Sequence, residues 1–186
     1  MKRLFKAVQR IYTQNRREIM FVLVFSLIFA AAQSLYFFSG RVKFPYYLQK
    51  GNAAVSAFVI NIATPSENAR VQGKTLASDG LALEIAWGCE GIEGIFLIVA
   101  ALTAYTMRRR YKILGIVAGT IFLYWLNIAR IVALYYTIKY NPALFDLMHM
   151  YVGQTFTIFF GVLFFFIWIY RFSLAVPAPA AAEQTP

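Results

Sequence analysis

The sequence predicts an all-α polytopic membrane protein with about four transmembrane helices and a small exoplasmic β-hairpin element. Hydrophobic residues make up 60% and aromatic residues 18% of the 186 positions, whereas a typical soluble domain contains about 45–50% apolar residues. Several apolar runs approach or exceed the roughly 18 residues that cross a bilayer core. Basic residues also alternate between segments in the manner that orients a membrane protein.

The net charge of +10 is distributed along the chain as a membrane topology requires. Basic residues cluster before the first apolar run, in the gap at 108–112 and after the last run. Because Lys and Arg are enriched in cytoplasmic loops, this pattern predicts four spans with both termini in the cytoplasm. The basicity is thereby explained by topology and by contact with membrane lipids, and it does not indicate a nucleic-acid partner.

The N-terminal part of the chain combines a basic segment with the first span. Residues 1–18 are expected to lie in the cytoplasm along the membrane surface, and the first span is expected at 19–39. The start of this span resembles a signal peptide, but the long basic segment and the length of the apolar run favour an uncleaved anchor. The membrane-embedded domain then extends over 19–171, and 172–186 form a Pro/Ala-rich tail that we expect to be disordered in the cytoplasm.

The segment between the first two spans is predicted to lie outside the membrane. Its apolar patch at 52–63 is too short to span and is expected to form an interfacial or packed helix. Two further runs, 71–76 and 81–85, flank an Asp-Gly pair and predict a β-hairpin. The remaining spans are predicted at 91–107, 113–138 and 151–170.

Three side chains that stand out in this sequence are predicted to meet at one membrane face. Cys89 is the only cysteine and His149 the only histidine, and Arg130 is the only arginine within a long apolar run. Cys89 stands at the outer N-terminus of the second span. Arg130 lies 17 residues after Ile113, or about 26 Å along a helix, and His149 lies in the next loop or the first turns of the last helix. We therefore expect all three on the outer face.

These residue types suit a cysteine nucleophile with a base and an anion-binding group. The thiolate is the attacking species, and a helix N-terminus with a nearby cation lowers a cysteine pKa. Imidazole acts as base and then as acid, and a guanidinium binds a developing oxyanion or a substrate carboxylate. The alternatives are a packed thiol, an interfacial histidine and an arginine that reaches lipid headgroups.

Neighbouring polar residues are candidates for supporting roles. Asn127 lies one turn before Arg130 and would orient it or donate to an oxyanion. Asp146 precedes the histidine by three residues and would position the imidazole, as the third member of a triad does, or is a solvated loop acid. Glu90 and Glu93 would oppose ionisation of the thiol, or serve only as acidic residues at a helix N-terminus.

The chain resembles the exosortase/archaeosortase family. The tripeptide Cys-Glu-Gly at Cys89, the tetrapeptide Asn-Ile-Ala-Arg ending at Arg130, and His149 are similar to the C-x-G, N-x-x-R and H motifs of that family. The resemblance covers about residues 50–170, and the short chain looks like a compact form such as exosortase H.

The resemblance implies a membrane-embedded cysteine protease or transpeptidase of the bacterial inner membrane. Its substrates would be exported proteins whose C-terminal sorting signal joins a short motif, a transmembrane helix and a basic cluster. Cys89 would attack on the periplasmic side and form a thioester, with Arg130 and His149 completing the site. No cofactor or metal is expected.

Two features are expected to receive such a substrate. The small residues Gly115, Ala118 and Gly119 offer a surface for a packed helix, and the hairpin offers a strand edge for the extended motif. The main alternative is a non-enzymatic membrane scaffold or assembly factor for surface-protein or polysaccharide export. A transporter is disfavoured because the spans are nearly all apolar, and a serine protease because no nucleophile-elbow motif is present.

Overall fold

The computed structural model describes residues 15–78 and 80–173. This part of the chain contains five α-helices and three β-strands joined by short turns. In chain order they are α1 (Arg16–Ser39), α2 (Phe44–Ala63), β1 (Arg70–Gln72), β2 (Thr75–Ser78), β3 (Leu81–Glu84), α3 (Ile92–Ala104), α4 (Arg109–Tyr140) and α5 (Gly153–Ser173), with 3₁₀ turns at Gly40–Val42, Pro65–Glu67 and Pro142–Leu144 and a π-helix at Leu147–Val152. Most of the predicted segments 1–18 and 172–186 lies outside the described residues.

The predicted all-α membrane fold is confirmed, with one short helix among the predicted spans. Arg16–Ser39, Arg109–Tyr140 and Pro142–Phe172 are long and apolar enough to cross a bilayer. The span predicted at 91–107 is α3, an apolar helix of only 13 residues. At 1.5 Å per residue it rises about 20 Å, less than a hydrocarbon core of about 30 Å. It ends early because Tyr105 takes an extended conformation with ψ of 137°.

One half of the molecule is a helical bundle, by which we mean α1, α3, α5 and residues 109–127 of α4. Its buried centre consists of Ile98 and Leu102 of α3 with Leu123 of α4. Aromatic rings of α5 and their neighbours surround this centre, and α3 contacts each of the other three helices. Such an interior is typical of membrane helices, which associate through close packing.

Two glycines of α4 allow α5 to pack closely inside the bundle. A Cβ atom at Gly115 would overlap the Trp168 ring, and one at Gly119 would lie 2.9 Å from Cε1 of Phe164. The prediction that a substrate helix packs against Gly115, Ala118 and Gly119 is therefore wrong at the two glycines. Small residues favour close packing of any helix, and here the chain's own α5 takes that place.

The other half is the sheet lobe, by which we mean α2, the three strands and residues 128–140 of α4. The strands form an antiparallel meander in the order β1-β2-β3. The predicted hairpin is present as β2 and β3, with Leu76 opposite Leu83. However, the run predicted as one strand at 71–76 is divided, because Gly73 adopts a left-handed φ of +64° and turns the chain between β1 and β2.

The sheet packs on one face of α2 and on α4. Ala53, Ala57 and Ile60 of α2 contact the sheet core around Leu76 and the α4 side chain of Tyr135. The predicted packed helix at 52–63 is thus part of a longer, 20-residue helix. It begins earlier because Lys43 takes a left-handed φ of +58° that ends the preceding turn, and Pro45 occupies the first helical turn, where a missing N–H costs little.

Candidate active site

Cys89 lies in a tight turn between the sheet and α3. The Cys89 N–H donates to the carbonyl of Ala86 over 3.1 Å, which closes the turn. Gly91 ends it with a left-handed φ of +76°, and a Cβ atom there would lie 2.5 Å from Cγ of Asn127. Only glycine satisfies both the backbone conformation and this close approach. The turn thereby fixes Cys89 immediately before the N-terminus of α3.

The His149 imidazole is the side-chain partner of the thiol. Its Nδ1 and Nε2 atoms lie 3.8 and 3.7 Å from Sγ of Cys89. The ring stacks on Phe145, with centroids 5.4 Å apart and planes 11° from parallel. Both nitrogens therefore lie within sulfur hydrogen-bond distance of the thiol, and which one donates or accepts depends on the tautomer of the ring.

Arg130 holds the segment that carries the histidine. One terminal guanidinium nitrogen donates to the backbone carbonyl of His149 over 3.1 Å. Among the described residues the buried Nε atom of Arg130 has no hydrogen-bond partner. This N–H donor lies against Gly153, where any side chain would overlap it. Cys89, Arg130 and His149, which are far apart in the sequence, are therefore neighbours in the fold.

Asn127 and Glu90 contact the turn directly. The Asn127 amide donates to the carbonyl of Cys89 over 3.2 Å from a fully buried position. The Glu90 carboxylate turns back over its own loop, where Oε2 accepts the N–H of Gly88 at 2.7 Å. Both residues thus contact the backbone of the turn rather than the thiol.

Asp146 has no such contact. It is exposed, and in the described part of the chain it forms no hydrogen bond with His149. The intervening residues belong to the π-helix, whose i→i+5 turns are wider than those of an α-helix. The Asp146 carboxylate nevertheless lies close enough to the imidazole to interact with it electrostatically, so its supporting role stays a prediction.

Burial dominates the electrostatics of the thiol. Cys89 is only 8% exposed, and burial raises its pKa above the ordinary thiol value. The Arg130 guanidinium lowers this pKa, whereas the Glu90 and Glu93 carboxylates raise it further. The expectation of a lowered cysteine pKa is therefore wrong for the free protein, because desolvation outweighs the nearby cation.

Two residues of the site's surroundings were not identified from the sequence. Gln49 donates to Oε1 of Glu90 over 2.6 Å, and Asn52 donates to the Glu90 carbonyl over 3.0 Å. Both lie on the buried face of α2, which also includes Ala53, Ser56 and others at helical spacing. Polar residues on an otherwise apolar helical stripe were the available signal, since buried polar groups need partners.

No group of three or more Cys, His, Asp or Glu residues in the described ranges is arranged to hold a metal ion.

A family model described as transmembrane exosortase (EpsH) matches residues 11–169 of the chain. This range includes Cys89, Arg130 and His149 together with all the strands and most of the helices. Searches of curated proteins and of solved structures found no match.

Proposed function

Because the chain belongs to the transmembrane exosortase family, we propose that it is a cysteine protease or transpeptidase that cleaves C-terminal sorting signals of exported proteins. The observation that carries the proposal is the contact between Sγ of Cys89 and the His149 ring, whose nitrogens lie 3.7 and 3.8 Å away. Arg130 donates a hydrogen bond to the backbone carbonyl of that histidine. A nucleophile, a base and a cation at one place match the needs of acyl transfer.

The first half of the reaction forms a thioester. His149 takes the proton from Sγ of Cys89, and the thiolate attacks the carbonyl carbon of the scissile peptide bond. The positive charge of the Arg130 guanidinium, which acts electrostatically on Cys89, would stabilise the resulting oxyanion. When the C–N bond breaks, the imidazolium returns its proton to the leaving amine.

The second half releases the acyl group from Cys89. Water, or another nucleophile in a transpeptidation, attacks the thioester carbonyl and loses a proton to His149. The C–S bond then breaks and the thiolate is reprotonated. Because the pKa of the free thiol is raised, the proposed mechanism forms the thiolate by proton transfer to His149 during the reaction rather than beforehand.

We propose that the site faces the periplasm of a bacterium whose inner membrane holds the protein with both termini inside. The basic run at 108–110 immediately precedes and begins α4. Arg130 lies 21 residues beyond Arg109, about 32 Å along the helix axis. This rise is close to one hydrocarbon thickness, so basic residues on the cytoplasmic side put Arg130 near the opposite surface.

The apolar helix of the sorting signal would insert one side chain into a groove of the bundle. A cavity of about 120 Å³ adjoins Arg130 and is lined by Gly91 and Gly94 near α3, Phe29 of α1, and Ile158 and Gly161 of α5. The rings of Phe21 and Phe165 stack 6.1 Å apart, and Tyr105 meets both.

In this proposal the substrate helix lies along α3 between α1 and α5, with its motif level with Cys89. The aromatic contacts join α1 to α5 farther from Arg130, where the groove closes. Within the described chain β3 pairs only with β2. The outer edge of β3 therefore offers backbone hydrogen-bond partners to the extended motif of the substrate.

The central test is processing of a co-expressed exported protein that carries a motif, an apolar helix and a basic cluster. Wild type is compared with Cys89→Ala after membrane insertion of the variant has been verified. We expect processing to be lost in Cys89→Ala and strongly reduced in His149→Ala, because both halves of the proposed reaction need the imidazole. Normal processing by Cys89→Ala would favour the scaffold alternative instead.

The groove is tested with a matched pair of isoleucines. Ile158 lines the cavity and is 50% exposed, whereas Ile121 on α4 is 54% exposed and is absent from the cavity wall. Ile158→Trp should reduce processing because the larger ring fills the groove, and Ile121→Trp should leave processing unchanged. Equal effects of the two substitutions would place the substrate helix elsewhere.

A further inference from the structure

The turn that carries Cys89 accepts three hydrogen bonds from side chains of other elements. Asn127 of α4 binds the Cys89 carbonyl, and Asn52 of α2 binds the Glu90 carbonyl. The Glu90 carboxylate accepts one hydrogen bond from Gln49 and one from the N–H of Gly88. A short loop between a strand and a helix is ordinarily among the mobile parts of a fold, so this number of fixed groups is unusual.

The two donors on α2 act from a rigid support. Gln49 and Asn52 are three residues apart, one helical turn, and are 5% and 3% exposed. The next turns of the same face, at Ala53, Ala57 and Ile60, are buried in the sheet core. Side chains mounted on a packed helix hold a site more accurately than side chains on loops do.

We propose that Gln49 and Asn52 are positioning residues that hold Glu90, and through it Cys89, so that the thiol faces His149. The expected effect of these two residues on catalysis rests on the function proposed above. Their effect on the position of the thiol does not depend on that function. The Gln49 amide donates a hydrogen bond to Oε1 of Glu90 and so stabilises the carboxylate from the side of α2. Without this amide the carboxylate is a buried charge with one donor fewer, and its repulsion of a thiolate at Cys89 increases.

The charged and titratable groups around this turn come from each of its neighbours. Arg130 of α4 and His149 of the π-helix face the thiol, and Glu93 of α3 acts on it together with Glu90. The Tyr36 hydroxyl of α1 faces Glu90. Gln49 and Asn52 are the contribution of α2, and they supply donors without adding a charge.

Because Cys89 is the only cysteine, its alkylation rate can be measured without a substrate. The full chain is purified in detergent and reacted with iodoacetamide between pH 6 and 11. For Gln49→Leu and Asn52→Ala we expect the midpoint of the pH–rate curve to rise by about half a unit or more, as the thiolate becomes less favourable. If sorting-signal processing is observed, kcat should fall about tenfold with KM nearly unchanged.

The matched control is Asn61→Ala on the same helix. Asn61 binds the backbone N–H and carbonyl of Ala69, so its loss loosens the lobe without touching the turn. We expect a lower melting temperature but an unchanged midpoint for Cys89 alkylation. If Asn61→Ala shifted the midpoint as much as Asn52→Ala, general loosening would account for the effect and the proposal would be overturned.

A second substitution separates the charge effect from misfolding. Glu90→Gln removes the charge but retains an oxygen that accepts the Gly88 N–H. Glu90→Gln alone should lower the midpoint, and added to Gln49→Leu it should bring the midpoint back toward wild type. Failure of this rescue, or an unchanged midpoint in Gln49→Leu, would overturn the proposal. Absence of processing by wild type would instead count against the proposed function alone.

Discussion

The bundle and the sheet lobe are stabilised in different ways. The centre of the bundle is apolar, with Ile98, Leu102 and Leu123 surrounded by stacked rings such as Phe164 and Trp168. The sheet lobe instead buries several polar side chains, most of which are hydrogen-bonded. Its clearest example is Glu67, which is 6% exposed and binds Tyr135, Lys139 and Ser78.

The difference follows from what surrounds each half. Helices in a hydrocarbon core satisfy their own backbone groups, so packing alone suffices to join them. Strands and loops have backbone groups that need partners, and the lobe supplies them with side chains such as Asn61 and Asn52. The candidate site lies where the two halves meet, because α4 runs through both and carries Asn127 and Arg130 at the boundary.

The largest effect is expected for a substitution at this boundary. Gly91→Ala introduces a Cβ atom 2.5 Å from Cγ of Asn127 and a left-handed residue with φ of +76°. The conformation costs about 1–2 kcal/mol, and displacement of the turn by about 1 Å would reduce processing about 100-fold. Gly80→Ala is the control, since Gly80 has a φ of +77° but open space around it. Equal processing by the two variants would contradict the role of the Asn127 contact.

The next effect probes close packing in the bundle. Gly115→Val forces the Trp168 ring away from α4, and overpacking of this kind costs about 1–3 kcal/mol. We expect a lower melting temperature in detergent and reduced insertion or yield. Gly51→Val on α2 is the matched control, because nothing lies within 4 Å of a Cβ atom there. A melting temperature equal to that of the control would show that Trp168 moves aside at no cost.

A smaller, pH-dependent effect is expected in the sheet lobe. The Lys139 ammonium and the Tyr135 hydroxyl hold the pKa of the Glu67 carboxyl below its usual value. A lowered carboxyl pKa stabilises the fold above the ordinary carboxyl pKa of about 4, and this stabilisation is lost as the pH falls through the lowered value. Glu67→Gln should therefore lower the melting temperature at pH 7, with a difference that shrinks below pH 4. A difference independent of pH would contradict this account.

The smallest effect is expected on the exposed side of the sheet. Lys74 and Glu84 form an ion pair at 2.5 Å, with side chains 37% and 57% exposed. Exposed pairs contribute about 0–1 kcal/mol. Glu84→Gln should therefore change the melting temperature far less than Glu67→Gln does at pH 7, and added salt should remove the remaining difference. A larger effect of Glu84→Gln would place the important charges of the lobe at its surface.

Much of the fold was predictable because its signals are local. Apolar runs and basic clusters were sufficient for α1, α4 and α5, and the Asp-Gly pair indicated the hairpin of β2 and β3. The length of α3 and the extra turn at Gly73 were not predicted, since each depends on one residue's backbone conformation. The family resemblance, carried by three short motifs, was confirmed over residues 11–169.

Only the residues of the site that are rare in the sequence could be predicted from it. One cysteine, one histidine and one arginine in an apolar run stand out in any chain, so Cys89, His149 and Arg130 were identifiable from the sequence as candidates, and their catalytic roles remain predictions. Gln49 and Asn52 resemble ordinary surface residues until α2 is seen to pack against the turn. Asp146 had suitable spacing and acts on His149 electrostatically without a hydrogen bond among the described residues, and its supporting role stays a prediction.

The sequence by itself determined a helical membrane protein with a single thiol at the start of a helix, because hydrophobicity, charge and residue rarity are properties of short segments. Only the tertiary structure decided which groups surround that thiol and how strongly it is buried. Those properties depend on contacts between residues 38 to 60 positions apart, and such contacts form only when α2, α4 and the π-helix pack around one turn.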